Sequence, residues 1–157
     1  MKGRVFQINI SSGGVPKLAI QQALLGKEGL KGDWQTNREH HGGIERAVCL
    51  YSLERITALQ DEGHPIFPGS VGENLTLRGI DWDQLEAGVR LRFDSGAEIE
   101  LTRPTTPCKS ITASFRNGEI SRIAHQHHPG WSRWYARVVC DGVIQTGDEV
   151  ELIVSSG

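Results

Sequence analysis

Two short segments in the middle of the chain alternate apolar and charged residues, and a turn sequence joins them. In residues 89–93, Val, Leu and Phe alternate with arginine, and in residues 98–101, Ile and Leu alternate with glutamate. Between the segments lies Asp94-Ser95-Gly96, whose residue types favour a reversal of the chain. Strict alternation places the apolar side chains on one face of a strand. The pattern therefore predicts a β-hairpin with one buried face.

Further strand patterns are spread along the chain and are separated by turn residues. Ser52 has the side chain of a helix N-cap, which predicts a helix to about Gly63. Residues 17–31 fit either a short helix or a buried strand, and residues 119–127 fit one short helix. We predict strands over residues 3–10, 47–51, 71–77 and 149–154, and a second hairpin over residues 137–144 with Asp141-Gly142 as a type I′ turn.

The number of strands favours closure into a barrel. Nineteen glycines against six prolines indicate short elements that reverse direction often. A chain of 157 residues can bury its own core, so we expect a single domain over residues 1–157, with residues 155–157 as a loose tail. Closing about seven strands removes the exposed edges that an open sheet leaves. We therefore expect a mainly β, β-barrel-like domain with two or three short peripheral helices.

Composition and charge exclude several classes of function. A net charge of -2 and a pI ≈ 6.3 leave no basic footprint for nucleic acid or for an anionic membrane. No apolar run approaches the roughly 18 residues of a transmembrane helix, and the first residues lack a secretory pattern, so we expect a cytoplasmic protein. Three cysteines without a Cys-x-x-Cys pair argue against a disulfide framework and a thiolate-rich zinc site.

Cys108 has the most distinctive setting of any residue in the chain. It follows Pro104-Thr105-Thr106-Pro107, whose two prolines make a stiff loop that turns sharply away from the preceding strand. Arg103 and Lys109 bring positive charge to both sides, which favours a thiolate. A soft metal ion or a sulfur-transfer step requires a thiolate. The alternative is that Cys108 is a small buried hydrophobe, as many cysteines are.

A glycine pair followed by an arginine forms a second candidate site. Gly42-Gly43 would let a ligand approach the backbone closely and would leave amide groups to bind an anion. Arg46 adds a planar fork suited to phosphate. The alternative is a tight turn with solvated histidines at His40 and His41, which have no further ligands at a zinc-site spacing.

Two further segments contain residue types that bind ligands. Glu73 and Asn74, which lie between glycines, would orient an amide or a ring, or else satisfy local backbone groups where a strand begins. Residues 129–137 combine aromatic rings with arginines, and Trp134 and Arg137 would stack on and clamp a heterocycle that carries phosphate. The alternative is that the tryptophans cover one end of a barrel.

Together these segments resemble the MOSC family, which is named for the C-terminal domain of molybdenum-cofactor sulfurases. The resemblance spans nearly the whole chain, is closest to the small stand-alone bacterial-type members, and depends on the order and spacing of several motifs. These are Ser12-Gly13-Gly14-Val15-Pro16-Lys17, Gly32-Asp33, His41-Gly42-Gly43 with Arg46-Ala47-Val48, Gly72-Glu73-Asn74-Leu75, Pro107-Cys108, Trp134-Tyr135-Ala136-Arg137-Val138, and Gly142 with Gly147-Asp148-Glu149-Val150.

The resemblance implies a strand-rich barrel and a cysteine that ligates the molybdenum of a pterin cofactor or carries sulfur as a persulfide. Cys108 is the cysteine at that position, whereas Cys49 and Cys140 lie in predicted strands and are expected in the core. Small members of the family are associated with molybdenum-cofactor-dependent reduction of N-hydroxylated compounds. Larger relatives carry an aminotransferase-like domain that uses pyridoxal phosphate, and no pyridoxal phosphate is expected in a chain of this length.

The chain departs from the family pattern at one position near the cysteine. The commoner form is Gln-Pro-Arg-x-Pro-Cys, and Thr105 stands at the usual arginine position. A cation lies two residues earlier, at Arg103. Because side-chain direction alternates along extended chain, Arg103 is expected to face the same side as Thr105.

The leading interpretation is a molybdenum-cofactor-binding domain in which Cys108 is the metal ligand. An enzyme of this kind would be an oxidoreductase that takes electrons from redox partner proteins, because the chain has no flavin, haem or iron–sulfur motif. Two alternatives stay open: a metal-free sulfur carrier that receives a persulfide on Cys108 from a cysteine desulfurase, and a non-catalytic binding module. The expected cofactor-binding residues are His41, Gly42, Gly43, Arg46, Asn74, Arg103, Lys109, Trp134 and Arg137.

Overall fold

Strands form most of the regular structure in residues 1–34 and 43–154, which are the parts of the chain that the computed structural model describes. One α-helix, α1 (Leu53–Asp61), and five 3-10 turns accompany the strands within these ranges. The turns are Ile44–Arg46, Trp82–Gln84, Lys109–Ser114, Arg116–Gly118 and Ile120–Ile123. The strands are β1 (Lys2–Ile10), β2 (Leu18–Ile20), β3 (Gln22–Gly26), β4 (Gly29–Leu30), β5 (Val48–Ser52), β6 (Leu75–Arg78), β7 (Arg90–Phe93), β8 (Glu98–Pro104), β9 (Trp134–Cys140), β10 (Gly142–Gln145) and β11 (Glu149–Ile153).

Seven of these strands close into a barrel, in the order β11-β7-β8-β9-β5-β6-β1, and β1 pairs again with β11. Gly3 lies opposite Val150 where the barrel closes, and the β5–β6 pairing is the parallel one among these neighbours. Strand β2 pairs antiparallel with the last residues of β1, where Ile8 lies opposite Ile20. Strands β10, β3 and β4 form a small separate sheet. The structure confirms the expected mainly β barrel with short helices outside it.

The hairpin predicted from alternating residues is β7–β8. Leu91 lies opposite Ile99, and both side chains are fully buried. On the other face, Arg90 donates to Glu100 at 3.0 Å and to Glu98 at 3.1 Å. The sequence alternation therefore separates a core face from a face of ion pairs, as the period of a strand requires.

The second predicted hairpin is wrong. Strand β9 pairs with β8 and β5, whereas β10 pairs with β3 in the small sheet. Gly142 does not have the positive φ that a type I′ turn needs. Instead, a Cβ at Gly142 would approach the Cβ of Ala97 to 2.9 Å. A glycine is required here because the chain packs closely against the turn between β7 and β8, and not because the chain reverses.

Three other segments differ in detail from their predictions. Residues 17–31 form three short strands, β2 to β4. The strand predicted from residue 71 begins at Leu75, and Gly72 before it has a φ of 80° that is incompatible with a strand. Residues 119–127 contain a 3-10 turn, Ile120–Ile123, without a side-chain cap, in place of the expected helix. No helix in the described ranges is long and apolar enough to cross a membrane.

Helix α1 begins where the sequence predicts. Ser52 Oγ accepts a hydrogen bond from the backbone N–H of Arg55 at 3.1 Å. Ile56 and Leu59 on one face of the helix are fully buried. The helix therefore covers one side of the barrel and lies directly after β5.

Candidate functional site

The loop that follows β8 is held against the start of β9. Thr105 is buried, and its backbone N–H donates to the carbonyl oxygen of Arg133 at 2.9 Å. Cys108 is extended, with φ −131° and ψ 172°, and it precedes the 3-10 turn Lys109–Ser114. Its carbonyl oxygen accepts a hydrogen bond from the N–H of Ile111 at 3.2 Å. The backbone of the loop that carries the sulfur is therefore held by hydrogen bonds at both ends.

Cys108 borders two adjacent clefts. The inner cleft has a volume of ≈ 370 Å³, and the outer cleft has a volume of ≈ 320 Å³. Thr106, Cys108 and Tyr135 line both of them. The inner cleft is otherwise lined by Gly14, Val15, Lys17, Cys49, Val71, Gly72, Thr105, Ser110, Ile111 and Arg133, and the outer cleft by Arg46, Arg103, Pro104 and Pro107.

The Cys108 sulfur has one hydrogen-bond partner among the described residues. Sγ lies 2.8 Å from the hydroxyl oxygen of Ser110, and either atom can be the donor. A hydroxyl donates to a thiolate and accepts from a thiol, so this contact suits both protonation states of the sulfur. The side chain is half-buried, which makes the sulfur reachable from solvent without exposing it fully.

Two arginines bring positive charge to the outer cleft. The Arg46 guanidinium lies over the Tyr135 ring, with its central carbon 5.6 Å from the ring centroid. Arg103 lies opposite Tyr135 in the β8–β9 register and is exposed. Burial raises the pKa of Tyr135 to about 12, so its phenol keeps its proton at neutral pH and can donate a hydrogen bond. The outer cleft thus offers two cations and one phenol beside the sulfur.

The inner cleft contains a buried guanidinium that the sequence analysis did not single out. Arg133 is 5% exposed, and its Nη1 donates to the carbonyl oxygen of Val71 at 2.7 Å. Its Nη2 lies 3.4 Å from the carbonyl oxygen of Thr106, and its buried Nε has no partner among the described residues. The family pattern places an arginine at position 105, where this chain has Thr105. Arg133 lines the same cleft as Thr105 and brings a guanidinium to it. Because side chains alternate along extended chain, Arg133 is expected to face the same side as Tyr135, and both residues line the inner cleft. This alternation is the sequence signal that points to Arg133.

Cys49 also lines the inner cleft. It is buried, and its Sγ lies 3.8 Å from the hydroxyl oxygen of Thr105. Burial raises the pKa of the Cys49 thiol, which keeps this sulfur neutral. The expectation that Cys140 belongs to the core is wrong, because it lies at the end of β9 and is exposed.

A buried polar network supports the floor of the site. Asn74 Oδ1 accepts from the backbone N–H of Cys49 at 3.0 Å, and Asn74 Nδ2 donates to Asp33 Oδ2 at 2.9 Å. Asp33 also pairs with Lys17 at 2.6 Å, and both side chains are buried. Burial raises the pKa of Glu73 to about 7, and its Oε1 has no partner among the residues described. Asn74 therefore braces β5 and its side chain lines neither cleft.

The structure brings some of the predicted cofactor-binding residues together and separates others. Arg46, Arg103 and Cys108 line one cleft. Lys109 is exposed beside that cleft and does not line it, and Arg137 is ion-paired with Glu100 at 2.8 Å. Trp134 is buried and lines a separate hollow with Trp82, Leu85 and His125. Gly43 precedes the turn Ile44–Arg46 with a φ of 99°, and His41 and Gly42 lie outside the described residues.

No protein-only metal site exists in residues 1–34 and 43–154. No three His, Cys, Asp or Glu side chains in these ranges converge as metal ligands would. A metal at Cys108 would therefore have at most two ligands of these residue types in the described ranges, and it would need its remaining ligands from another source.

The fold and the site together define a small barrel domain that presents one thiol between two ligand-sized clefts. A family model of the MOSC domain matches residues 37–151, which is most of the chain, and the chain belongs to this family. This confirms the resemblance seen in the sequence motifs.

Individual relatives extend this comparison. The chain is 28% identical over 145 residues to the protein YflK of Bacillus subtilis, covering 92% of this chain and 64% of the relative. It is 25% identical over 144 residues to the protein YiiM of Escherichia coli, covering 88% of this chain and 63% of the relative. The chain thus spans less than two thirds of the length of each of these relatives.

Solved structures share the fold. YiiM from Geobacillus stearothermophilus superposes with a TM-score of 0.77 at 23% identity, covering 97% of this chain and 75% of that one. The YuaD protein from Bacillus subtilis superposes with a TM-score of 0.75 at 20% identity, covering 97% of this chain and 96% of that one. At these identities the likeness extends to the fold alone.

Proposed function

We propose that this chain binds the molybdenum cofactor and that Cys108 is the protein ligand of the metal. The MOSC family is associated with binding of that cofactor. The observation that carries the proposal is that Cys108 lines both clefts and is half-buried on a loop fixed by backbone hydrogen bonds. A rigid, reachable thiol is what a soft metal requires of a protein ligand.

The residues around Cys108 fit a cofactor that carries phosphate and a metal. Arg46 and Arg103 border the outer cleft and offer guanidinium donors suited to phosphate oxygens. The Ser110 hydroxyl, 2.8 Å from Sγ, would donate to the sulfur once it is deprotonated. Gly43 leaves open space where a side chain would stand, since no atom of the described residues lies within 4 Å of a Cβ built there.

The cofactor phosphate would bind in the outer cleft, and the substrate would bind in the inner cleft. When bound, the cofactor supplies a metal centre that exchanges electrons with the substrate. Arg46 and Arg103 would hold the phosphate, and Cys108 would fix the metal at the boundary of the inner cleft. The apolar side chains Val15 and Ile111 would exclude water from the inner cleft, where the substrate binds.

Reduction of N-hydroxylated compounds is the activity that we propose for this site. The proposal comes from the family resemblance, and electrons would come from redox partner proteins. Reduction of such a compound by the loaded protein together with an electron donor, measured as loss of substrate, would test it. A loaded protein that accepts electrons but leaves every N-hydroxylated compound unchanged would contradict it.

Cofactor binding is tested by analysis of the purified protein. We expect protein from a cofactor-replete host to contain molybdenum by mass spectrometry and pterin by fluorescence after oxidation. The Cys108→Ser variant should lose both, and the Cys140→Ser variant should keep both, because Cys140 is exposed on β9 away from the clefts. Wild-type protein that contains neither molybdenum nor pterin would overturn the proposal.

A second candidate function is sulfur transfer by Cys108 without a metal. It is favoured by the exposure of the sulfur, which lets a partner protein reach it. The Cys108 thiolate would attack the outer sulfur of a persulfide on a cysteine desulfurase, and the desulfurase cysteine would leave as a thiolate. After incubation with desulfurase and cysteine, mass spectrometry of the intact protein would show one added sulfur atom, and peptide mass spectrometry would locate it on Cys108. An adduct on protein that retains no cofactor would favour this function over the first.

A further inference from the structure

We infer that Arg133 forms an anion subsite in the inner cleft, which takes a small molecule with one oxyanion group, such as a carboxylate, on an apolar body. That the bound anion would be a substrate rests on the proposed function. The subsite itself does not, because it is built from residues of the chain alone. The sequence motif over residues 129–137 contains Arg133, but Trp134 and Arg137 were the residues expected to bind a ligand there.

No carboxylate among the described residues lies within ion-pairing distance of the buried Arg133 guanidinium. The residue is 5% exposed, and the acceptors of its guanidinium are the neutral carbonyl oxygens of Val71 and Thr106. Arg133 takes part in none of the ion pairs that form among the described residues. A buried guanidinium held only by neutral groups is poorly compensated for its lost hydration. An anionic ligand would supply the missing charge.

The guanidinium also has an unused donor. Its Nε is buried and has no hydrogen-bond partner in the part of the chain that the structure describes. Arg133 lines the inner cleft, so a molecule bound there would lie against this side chain. A guanidinium presents its N–H groups as a planar fork that matches the two oxygens of a carboxylate.

The other charged groups near Arg133 do not fill this role. Lys17 lines the same cleft, but its ammonium is engaged by Asp33 at 2.6 Å. Glu73 is fully buried, and burial is the main cause that raises its pKa to about 7. The Arg133 charge is among the causes that lower the Glu73 pKa, but the two side chains form no ion pair within 4 Å. Lys17 is thus neutralised, whereas Arg133 has charge left for a ligand.

The remaining walls of the inner cleft select an apolar body. Val15, Val71 and Ile111 line the cleft, and its volume of ≈ 370 Å³ suits a small organic molecule. Cys108 lies at the boundary with the outer cleft. A ligand with its anionic group on Arg133 would therefore place its apolar part between these side chains and near the sulfur.

Calorimetric titration of the purified protein with benzoate and with its neutral analogue benzamide tests this inference. We expect benzoate to bind and benzamide to bind at least about tenfold more weakly, because charge-assisted hydrogen bonds to guanidinium are the main polar contact. The Arg133→Gln variant should lose this preference, and Arg133→Lys should keep part of it. Arg92→Gln is the matched control, since Arg92 is an exposed arginine on β7 that pairs with Glu98.

Three results would overturn the subsite. They are no benzoate binding to wild-type protein, equal affinity for benzoate and benzamide, and an unchanged preference in a folded Arg133→Gln variant. If Arg133→Gln does not fold by circular dichroism, the wild-type comparison and Arg133→Lys still decide. Protein that lacks molybdenum and pterin but prefers benzoate would refute the proposed function and leave the subsite standing. Protein that contains molybdenum and pterin but does not prefer benzoate would refute the subsite and leave the proposed function standing.

Discussion

The backbone N–H of Thr105 donates to the carbonyl oxygen of Arg133 at 2.9 Å, at the junction of the Cys108 loop and β9. This single bond ties the segment that presents the sulfur to the segment that presents the buried guanidinium. A second contact, from Arg133 Nη2 to the carbonyl oxygen of Thr106, joins the same two segments. The thiol and the cation are therefore positioned relative to each other by the backbone as well as by packing.

Charge selectivity at Cys108 should be visible in its alkylation. The measured quantity is the rate of alkylation by iodoacetate divided by the rate of alkylation by iodoacetamide. We expect this ratio to be about tenfold higher at Cys108 than at exposed Cys140, because nearby cations raise the local concentration of an anionic reagent. Peptide mass spectrometry measures both sites in one sample. Arg133→Gln should reduce the ratio at Cys108 and leave it unchanged at Cys140. Equal ratios at both cysteines in wild-type protein would contradict the prediction, and slow reaction with both reagents would favour an inert Cys108.

Removal of Arg46 should weaken retention of the cofactor. Arg46→Ala deletes a guanidinium that borders the outer cleft and lies over Tyr135, and we expect the pterin content of purified protein to fall about tenfold. Arg92→Ala removes an exposed arginine elsewhere on the barrel and serves as the control. Unchanged pterin and molybdenum content in Arg46→Ala would show that the outer cleft does not hold the phosphate.

Glu73 should make stability depend on pH. Its pKa in the folded protein is raised to about 7 from 4.5, so between these values the folded state holds a proton that the unfolded state releases. Wild-type stability should therefore fall as pH rises from 4.5 to about 7, by about 3 kcal/mol in all, and then level off. Urea unfolding of wild type and Glu73→Gln measures this. The free-energy difference should move in favour of the variant over the same interval, and a constant difference would refute the prediction.

Asn74 should contribute to stability more than to ligand contact. Asn74→Ala removes hydrogen bonds to the backbone of Cys49 and to the carboxylate of Asp33 and leaves both partners buried, which should cost about 2–4 kcal/mol. Gln84→Ala, which removes an exposed hydrogen bond to Asp81, should cost little. Urea unfolding at one pH measures both variants. An Asn74→Ala protein as stable as wild type would argue against the bracing role.

Gly142 should not tolerate a side chain. Gly142→Ala would bring its Cβ to 2.9 Å from the Cβ of Ala97 and to 3.0 Å from Ser95 Oγ, and we expect a loss of about 1–3 kcal/mol. Gly26→Ala is the matched control, because Gly26 also lies in the small sheet and no atom in residues 1–34 and 43–154 stands within 4 Å of a Cβ there. Thermal unfolding of the two variants should separate them clearly. Equal stability would mean that β10 can shift away from the turn between β7 and β8.

Local signals in the sequence predicted the parts of the fold that depend on local structure. The β7–β8 hairpin follows from alternation over a few residues, and helix α1 follows from the Ser52 cap. The predicted second hairpin at Asp141 failed because the strand that pairs with β10 is β3, more than a hundred residues earlier. Such a pairing is decided by packing across the whole barrel, which a two-residue turn signal does not contain.

The same distinction explains what was found at the site. Cys108 was identified because two prolines and two cations surround it in the sequence. Arg133 lies in the predicted motif over residues 129–137, but Trp134 and Arg137 were preferred there. The burial of Arg133, and its lack of an ion pair within the described residues, depend on the assembled barrel and not on the local sequence. The sequence favoured Arg137 as a cofactor-binding residue because of its aromatic neighbours. In the structure it forms an ion pair with Glu100 on the adjacent strand β8.

Thr106, Cys108 and Tyr135 form a shared partition between the inner and outer clefts. A molecule that moves this partition from one side changes the shape offered on the other. Ligand binding in the inner and outer clefts should therefore be thermodynamically linked. By reciprocity, each ligand must alter the affinity of the protein for the other ligand by the same factor.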